Sequence, residues 1–252
     1  MSATGNTREV ILREMGLTPI WVNRNSIPEA TTVAEMPAPA AAVAVVAVPE
    51  AMVDAQPSAK DRETAIAAMS WDELIADIAS CNACKLCKTR TRTVPGVGDR
   101  SPAWMVIGEA PGENEDKVGE PFVGKAGQLL DAMLAAVGKK RGDGVYIVNV
   151  IKCCPPGNRN PEPDEIAACA PYLNRQIALA QPKLLLASGK FAAQTLLNRD
   201  DTVGAMRAFP ATSSQRDGVP IVVTYHPSYL LRSPLEKAKA WDDLMKAKAL
   251  VP

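Results

Sequence analysis

Two kinds of apolar run alternate along the second half of the chain. Trp104–Ile107, Val145–Val150, Leu184–Ala187 and Val219–Thr224 are short, nearly unbroken apolar stretches, the pattern of strands buried on both faces. Between and after them, Gly127–Val137, Pro163–Ala178, Lys190–Leu197 and Pro234–Ala249 read as helices, the first closed by Gly138. Upstream, Ser70-Trp71-Asp72-Glu73 has the form of a capping box and opens a helix to about Ile78. Strands alternating with helices predict an α/β domain with a mostly parallel sheet covered on both faces. Ligands of such sheets sit beyond the carboxyl ends of the strands, so the residues that follow each strand are the candidates for chemistry.

The first quarter of the chain is different. Residues 1–22 read as a short helical segment, with Thr7 as N-cap, Val10, Ile11, Leu12 and Met15 apolar and Gly16 beyond its end. It is either a docking peptide for a partner protein or a segment that packs on its own domain. Residues 23–65 read as an Ala/Pro-rich flexible linker, broken by Pro28, Pro37, Pro39, Pro49 and Pro57, and residues 66–252 as the globular domain.

Composition narrows the classes. Of 252 residues 47% are apolar, enough for a core, so global disorder is excluded. The zero net charge divides into −3 over residues 1–65 and +3 over the rest, which neither demands nor excludes nucleic acid. No signal-peptide pattern opens the chain, and the longest apolar run, Ala40–Val48, falls far short of the ~20 residues a membrane span needs. A cytoplasmic protein is expected. In that compartment the six cysteines point to metal binding or catalysis rather than disulfides. The single histidine, His226, excludes any zinc site built on two His ligands.

At the strand ends, Gly108-Glu109-Ala110-Pro111-Gly112 forms a tight turn that throws Glu109 to the end of the first strand. Phe122, fixed between Pro121 and Gly124, is either a loop-anchoring hydrophobe or a platform for a planar ligand. Asn149 offers one acceptor and two donors, a pattern able to read a pyrimidine edge. His226 opens the Pro-containing segment Tyr225–Arg232 at the same face. Cys81, Cys84 and Cys87 begin like a ferredoxin run, but position 91 holds Thr where a fourth Cys would stand. With Cys153, Cys154 and Cys169, four thiolates drawn from both groups could bind a [4Fe-4S] cluster or Zn²⁺.

Several motifs taken together carry a family likeness. Gly108–Gly112, Glu120–Leu130, Asn149–Cys153, Pro155–Pro161 and His226–Arg232 resemble, in order, the family 4 uracil-DNA glycosylases, the iron–sulfur branch of that superfamily. The likeness runs from about Ser70 to Met245. It implies a three-layer αβα sandwich around a four-stranded parallel sheet, and a structural [4Fe-4S] cluster whose ligands fall on Cys81, Cys84, Cys153 and Cys169. Cys87 and Cys154 match no ligand position, and Cys154 stands where the family has Arg. The resemblance also assigns roles around a flipped uracil. Phe122 stacks on the base beside Gly108 and Ala110, Asn149 bonds O4 and N3–H, His226 donates to O2, and Glu109, held by Asn158, serves the attacking water. Lys125, Ser188 and Lys190 suit DNA phosphates, and Tyr229-Leu230-Leu231-Arg232 suits a minor-groove wedge. Lys85, Lys88, Arg90 and Arg92 form a basic patch or a solvated face. The stretch Thr202–Ser214 lacks the His of the branch that bonds covalently to the abasic product, and Glu109 argues against the family 5 relatives. The expected protein is thus a monomeric, monofunctional uracil-DNA glycosylase acting on single- or double-stranded DNA. The alternative is a non-catalytic iron–sulfur DNA-binding protein.

Overall fold

The computed structural model describes residues 59–210, 215–216 and 218–252. The segment 1–22 and residues 23–58 of the linker lie outside these residues. Helices α1 (Ala59–Ala68) and α2 (Trp71–Ser80) come first, followed by β1 (Val97–Gly98), β2 (Trp104–Gly108), α3 (Glu113–Val118), α4 (Lys125–Ala136) and β3 (Val145–Asn149). Then follow α5 (Pro163–Ala180), β4 (Leu184–Ser188), α6 (Lys190–Leu197), α7 (Val203–Arg207), β5 (Gln215–Arg216), β6 (Val219–Thr224), α8 (Pro227–Arg232) and α9 (Lys237–Leu250).

The sheet order is β1-β3-β2-β4-β6-β5. The four central strands are parallel, as expected, and the two-residue strands β1 and β5 add an antiparallel pair at each edge. Every residue of β2, β3 and β4 is buried, which is why their sequences are apolar without interruption. Successive side chains point to opposite faces and feed two cores. Met105, Ile107, Val148 and Leu185 join the face that also holds Cys153, Cys169 and Ile66. Trp104, Val106, Ile147 and Leu186 join the face that holds Phe122, Leu130 and Leu244.

Helix α1 crosses the 65/66 boundary drawn from the sequence. Its one large apolar side chain, Ile66, is 1% exposed and the helix packs on α5. A helix with a single anchoring residue has no periodic stripe to detect. The strand order reverses at β2, which pairs with β3 on one side and β4 on the other. The crevice at such a switch point is where the fold leaves room for a ligand.

Candidate active site

A cleft of about 830 Å³ opens at this point, and its walls come from the loops after all four parallel strands. Glu109, Phe122, Asn149, Asn158 and His226, separated by up to more than a hundred residues, all line it.

Gly108, the last residue of β2, sets the central contact. A Cβ at this position would lie 2.3 Å from Asn149 Oδ1 and 2.6 Å from Phe122 Cζ. Only bare backbone lets the amide and the ring meet across it. Gly108→Ala is therefore expected to cost about 1–3 kcal/mol of stability through overpacking and to lower any turnover in this cleft by an order of magnitude or more, because ring and amide are both pushed away. Thermal melts and single-turnover rates check this.

Asn149 is 2% exposed, and its Oδ1 has no hydrogen-bond partner. A buried acceptor left open costs about 1–3 kcal/mol, so the site is set for a ligand that brings a donor.

Phe122 is held in a left-handed backbone conformation, φ 56°, which costs a non-glycine residue about 1–2 kcal/mol. Its surroundings impose it. Arg141, paired to Asp131 at 3.0 Å, donates to the carbonyls of Pro121 and Phe122 at 2.8 and 2.9 Å. Gly127 lies so close that a Cβ would be 1.7 Å from the Phe122 carbonyl oxygen. The Glu115 carboxylate accepts from the backbone N–H groups of Val123 and Gly124 at one oxygen and Gly112 at the other. Neither Glu115 nor Arg141 was singled out from sequence. Glu115 stands three residues after Gly112, the N-cap of α3, and that spacing was the available signal.

His226 lies 5.4 Å from Phe122 between ring centroids, with 29° between planes. Gly189, at φ 98°, allows that approach: a Cβ there would be 3.0 Å from His226 Cβ. His226 Nδ1 accepts from the Ser228 backbone N–H at 3.2 Å. An N–H can only donate, so the neutral ring carries its proton on Nε2. Burial pushes the His226 pKa down to about 4, with Arg232 pushing the same way and Glu115 opposing. Burial also pushes the Glu109 carboxyl up to about 7, opposed by Lys190.

Several expected site residues sit differently. Asn158 lines the cleft, but its Oδ1 accepts from the Glu113 N–H at 3.1 Å, and no hydrogen bond joins it to Glu109. Ala110, Lys125, Lys190, Tyr229 and Arg232 face the cleft, and Leu231 is exposed. Ser188 and Leu230 are each 1% exposed and stand in the interior, not on a DNA-facing surface. Ser188 is still within the buried strand β4, and the helical turn of α8 carries Leu230 inward between two outward neighbours. The basic patch is partly spent as well. Lys85 is paired with Glu162 and Asp164, and Arg90 donates to Cys153 Sγ at 3.3 Å.

The Uracil DNA glycosylase superfamily model matches residues 95–245. A type-4 uracil-DNA glycosylase of Archaeoglobus fulgidus is 42% identical over 70% of this chain and 91% of its own length. Type-4 enzymes of Sulfurisphaera tokodaii and Pyrobaculum aerophilum are 39% and 40% identical, over 84% and 92% of their lengths. The chain belongs to the type-4 uracil-DNA glycosylases.

In this type-4 chain the cysteines divide cleanly. Cys81, Cys84, Cys153 and Cys169 line one small cavity with Ile78, Ala83, Ala168 and Tyr172, whereas Cys87 and Cys154 do not. All six are free thiols. Besides Arg90, Arg62 of α1 donates to a sulfur, reaching Cys81 Sγ at 3.8 Å. Cys154 Sγ lies 3.7 Å from Asn158 Oδ1. Among the described residues no three His, Cys, Asp or Glu side chains are close enough to hold a single metal ion.

Proposed function

We propose that this chain is a monofunctional uracil-DNA glycosylase that extrudes uracil from DNA and hydrolyses its N-glycosidic bond, initiating base excision repair of deaminated cytosine. The observation that carries this reading is the orphaned Asn149 Oδ1, buried against the Phe122 ring across Gly108. Uracil N3–H supplies the missing donor. Cytosine presents an unprotonated N3 there, setting acceptor against acceptor.

Phe122 gives the flipped ring a face to stack on. As the C1′–N1 bond breaks, its electron pair passes to the base and spreads onto O2. The Nε2–H of a neutral His226 donates to that oxygen, so leaving-group stabilisation needs no imidazolium. Water attacks C1′, and Glu109 takes its proton. Asn158 lines the same wall and holds the start of α3 through Glu113. Lys125, Lys190 and Arg232 bring positive charge to the rim where phosphates pass, and Tyr229 with Leu231 presents the apolar surface of a wedge. A cleft with this acid–base equipment favours catalysis over the non-catalytic DNA-binding alternative.

Four thiols on one cavity support a [4Fe-4S] cluster held by Cys81, Cys84, Cys153 and Cys169. Ligands around a multi-iron cluster are spaced more widely than around one ion, and arginine donors stand on two of the sulfurs. Such a cluster would cross-link the segment after α2, the turn after β3 and helix α5. No helix among the described residues is long and apolar enough to cross a membrane. The free thiols suit a reducing cytoplasm. A monomer whose catalytic domain begins with helix α1 rather than at residue 66, and residues 1–22 as the segment open to a protein partner, complete the proposal.

The test is incubation of the full chain with single-stranded and duplex oligonucleotides bearing one uracil, followed by alkaline cleavage. Scission at the uracil alone supports the reading, and an intact strand refutes it. The pH profile tests the Glu109 role. Only the ionised carboxylate accepts a proton, so the single-turnover rate is expected to climb from pH 6 to 8, about Glu109's pKa near 7, and then level off. Glu109→Gln should flatten that rise. A wild-type profile already flat over this range would remove Glu109 as the base. His226 stays neutral throughout, since its pKa lies near 4.

A further inference from the structure

Lys152 is the only lysine or arginine among the buried residues described, at 1% exposure. The buried carboxylates are all multiply partnered. Asp243 is paired with Arg207 and Glu165 with Arg159, while Asp116 accepts from the backbone N–H groups of Thr91 and Arg92. Among the described residues no carboxylate pairs with Lys152. Its one hydrogen bond runs from Nζ to the Asn149 carbonyl oxygen, at 2.5 Å. A buried ammonium without an anion costs several kcal/mol, so its other N–H bonds need acceptors. The cavity that Lys152 shares with Cys81, Cys84, Cys153 and Cys169 is where ligated sulfurs would supply acceptors.

Lys152 therefore lies between the two centres of the molecule, lining the cysteine cavity while its Nζ bonds the Asn149 carbonyl. Asn149 carries the open amide on its side-chain end and the Lys152 bond on its backbone end. The turn that follows is fastened to β2 by Val150 N–H to the Gly108 carbonyl and Ile151 N–H to the Glu109 carbonyl. Val94 N–H in turn holds the Lys152 carbonyl at 2.8 Å. We propose that Lys152 is a positioning residue that joins the cysteine cavity to the uracil-reading amide. Its ammonium balances the negative charge of the ligated sulfurs on one side and fixes the Asn149 backbone on the other. The inference rests on the glycosylase reading and on the four-cysteine cluster above. It assigns the cluster a part in base recognition beyond cross-linking.

The test uses the iron-loaded full chain with Lys152→Met, which keeps length and apolar bulk, and Lys152→Gln, which keeps an N–H donor without the charge. For Lys152→Met, iron content is expected to match wild type, kcat/KM for a uracil oligonucleotide to fall about tenfold or more, and the inhibition constant of free uracil to rise with it. The cluster's midpoint potential is expected to become more negative, because a neighbouring positive charge is gone. Lys152→Gln is expected to recover part of the excision while keeping the shifted potential. Wild-type kcat/KM and uracil inhibition in Lys152→Met would overturn the proposal. Loss of iron from both variants would also overturn it, leaving Lys152 a component of the cavity alone. Failure of the underlying reading is distinguishable, since wild type would then lack iron or leave uracil in place.

Discussion

Asn149→Asp is expected to lower uracil excision by on the order of 10²-fold or more in kcat/KM, with little loss of fold. The substitution changes one buried atom group and almost no volume. The carboxylate loses the N–H donors that face uracil O4 and sets negative charge against an oxygen that itself gains charge as the base leaves. Leaving paired groups unsatisfied in a buried site costs about 1–3 kcal/mol per group, more with a charge, and a site built to hydrogen-bond one edge rejects an edge that cannot answer by larger factors. In its protonated form the new carboxyl group would present a donor to an unprotonated N3, so excision of cytosine is the alternative gain to look for. The measurement is a rate panel on matched oligonucleotides carrying uracil or cytosine. Unchanged uracil rate and specificity would remove Asn149 as the reading residue, and the Phe122–Gly108–Asn149 contact would need another purpose.

Cys169→Ser is expected to abolish iron binding and to lower the melting temperature by about 10 °C, while Cys87→Ser does neither. Cys169 sits on α5 and lines the four-thiol cavity, whereas Cys87 stands outside it. Losing one ligand removes a cross-link among three chain segments. By analogy with a covalent cross-link, that link is worth about 2–4 kcal/mol, and each kcal/mol moves the melting point of a domain this size by about 2–4 °C. Iron analysis with the visible absorption that Zn²⁺ lacks, together with thermal melts of both variants, decides the outcome. Iron lost from Cys87→Ser and kept in Cys169→Ser would transfer the ligand role.

The four central strands were legible because burial on both faces leaves a pattern that needs no partner to interpret: Trp104–Ile107 and Leu184–Ala187 are apolar at every position. The motif residues Glu109, Phe122, Asn149 and His226 were legible because turns after such strands carry the chemistry of the fold. Helix α1 was not, since a single buried Ile66 makes no period. Leu230 and Ser188 were misplaced because a motif in sequence does not say which side of a helical turn, or which end of a strand, reaches solvent. The basic run at Lys85–Arg92 read equally as a DNA patch or a solvated face, and Glu162, Asp164 and Cys153 occupy two of its members.

By itself the chain of residues determined the layered α/β architecture, the family and the candidate chemistry, because these depend on local periodicity and on short motifs with fixed internal spacing. The tertiary structure alone decided that Asn149 Oδ1 is left without a donor, that His226 bears its proton on Nε2, that four of six cysteines share a cavity and that Lys152 stands between that cavity and Asn149. Each of these is a relation in space, between distant segments or within one turn, or a question of what remains unpaired after burial. Both arise only when the sheet brings its strand ends to one edge and excludes the water that would otherwise satisfy every polar group.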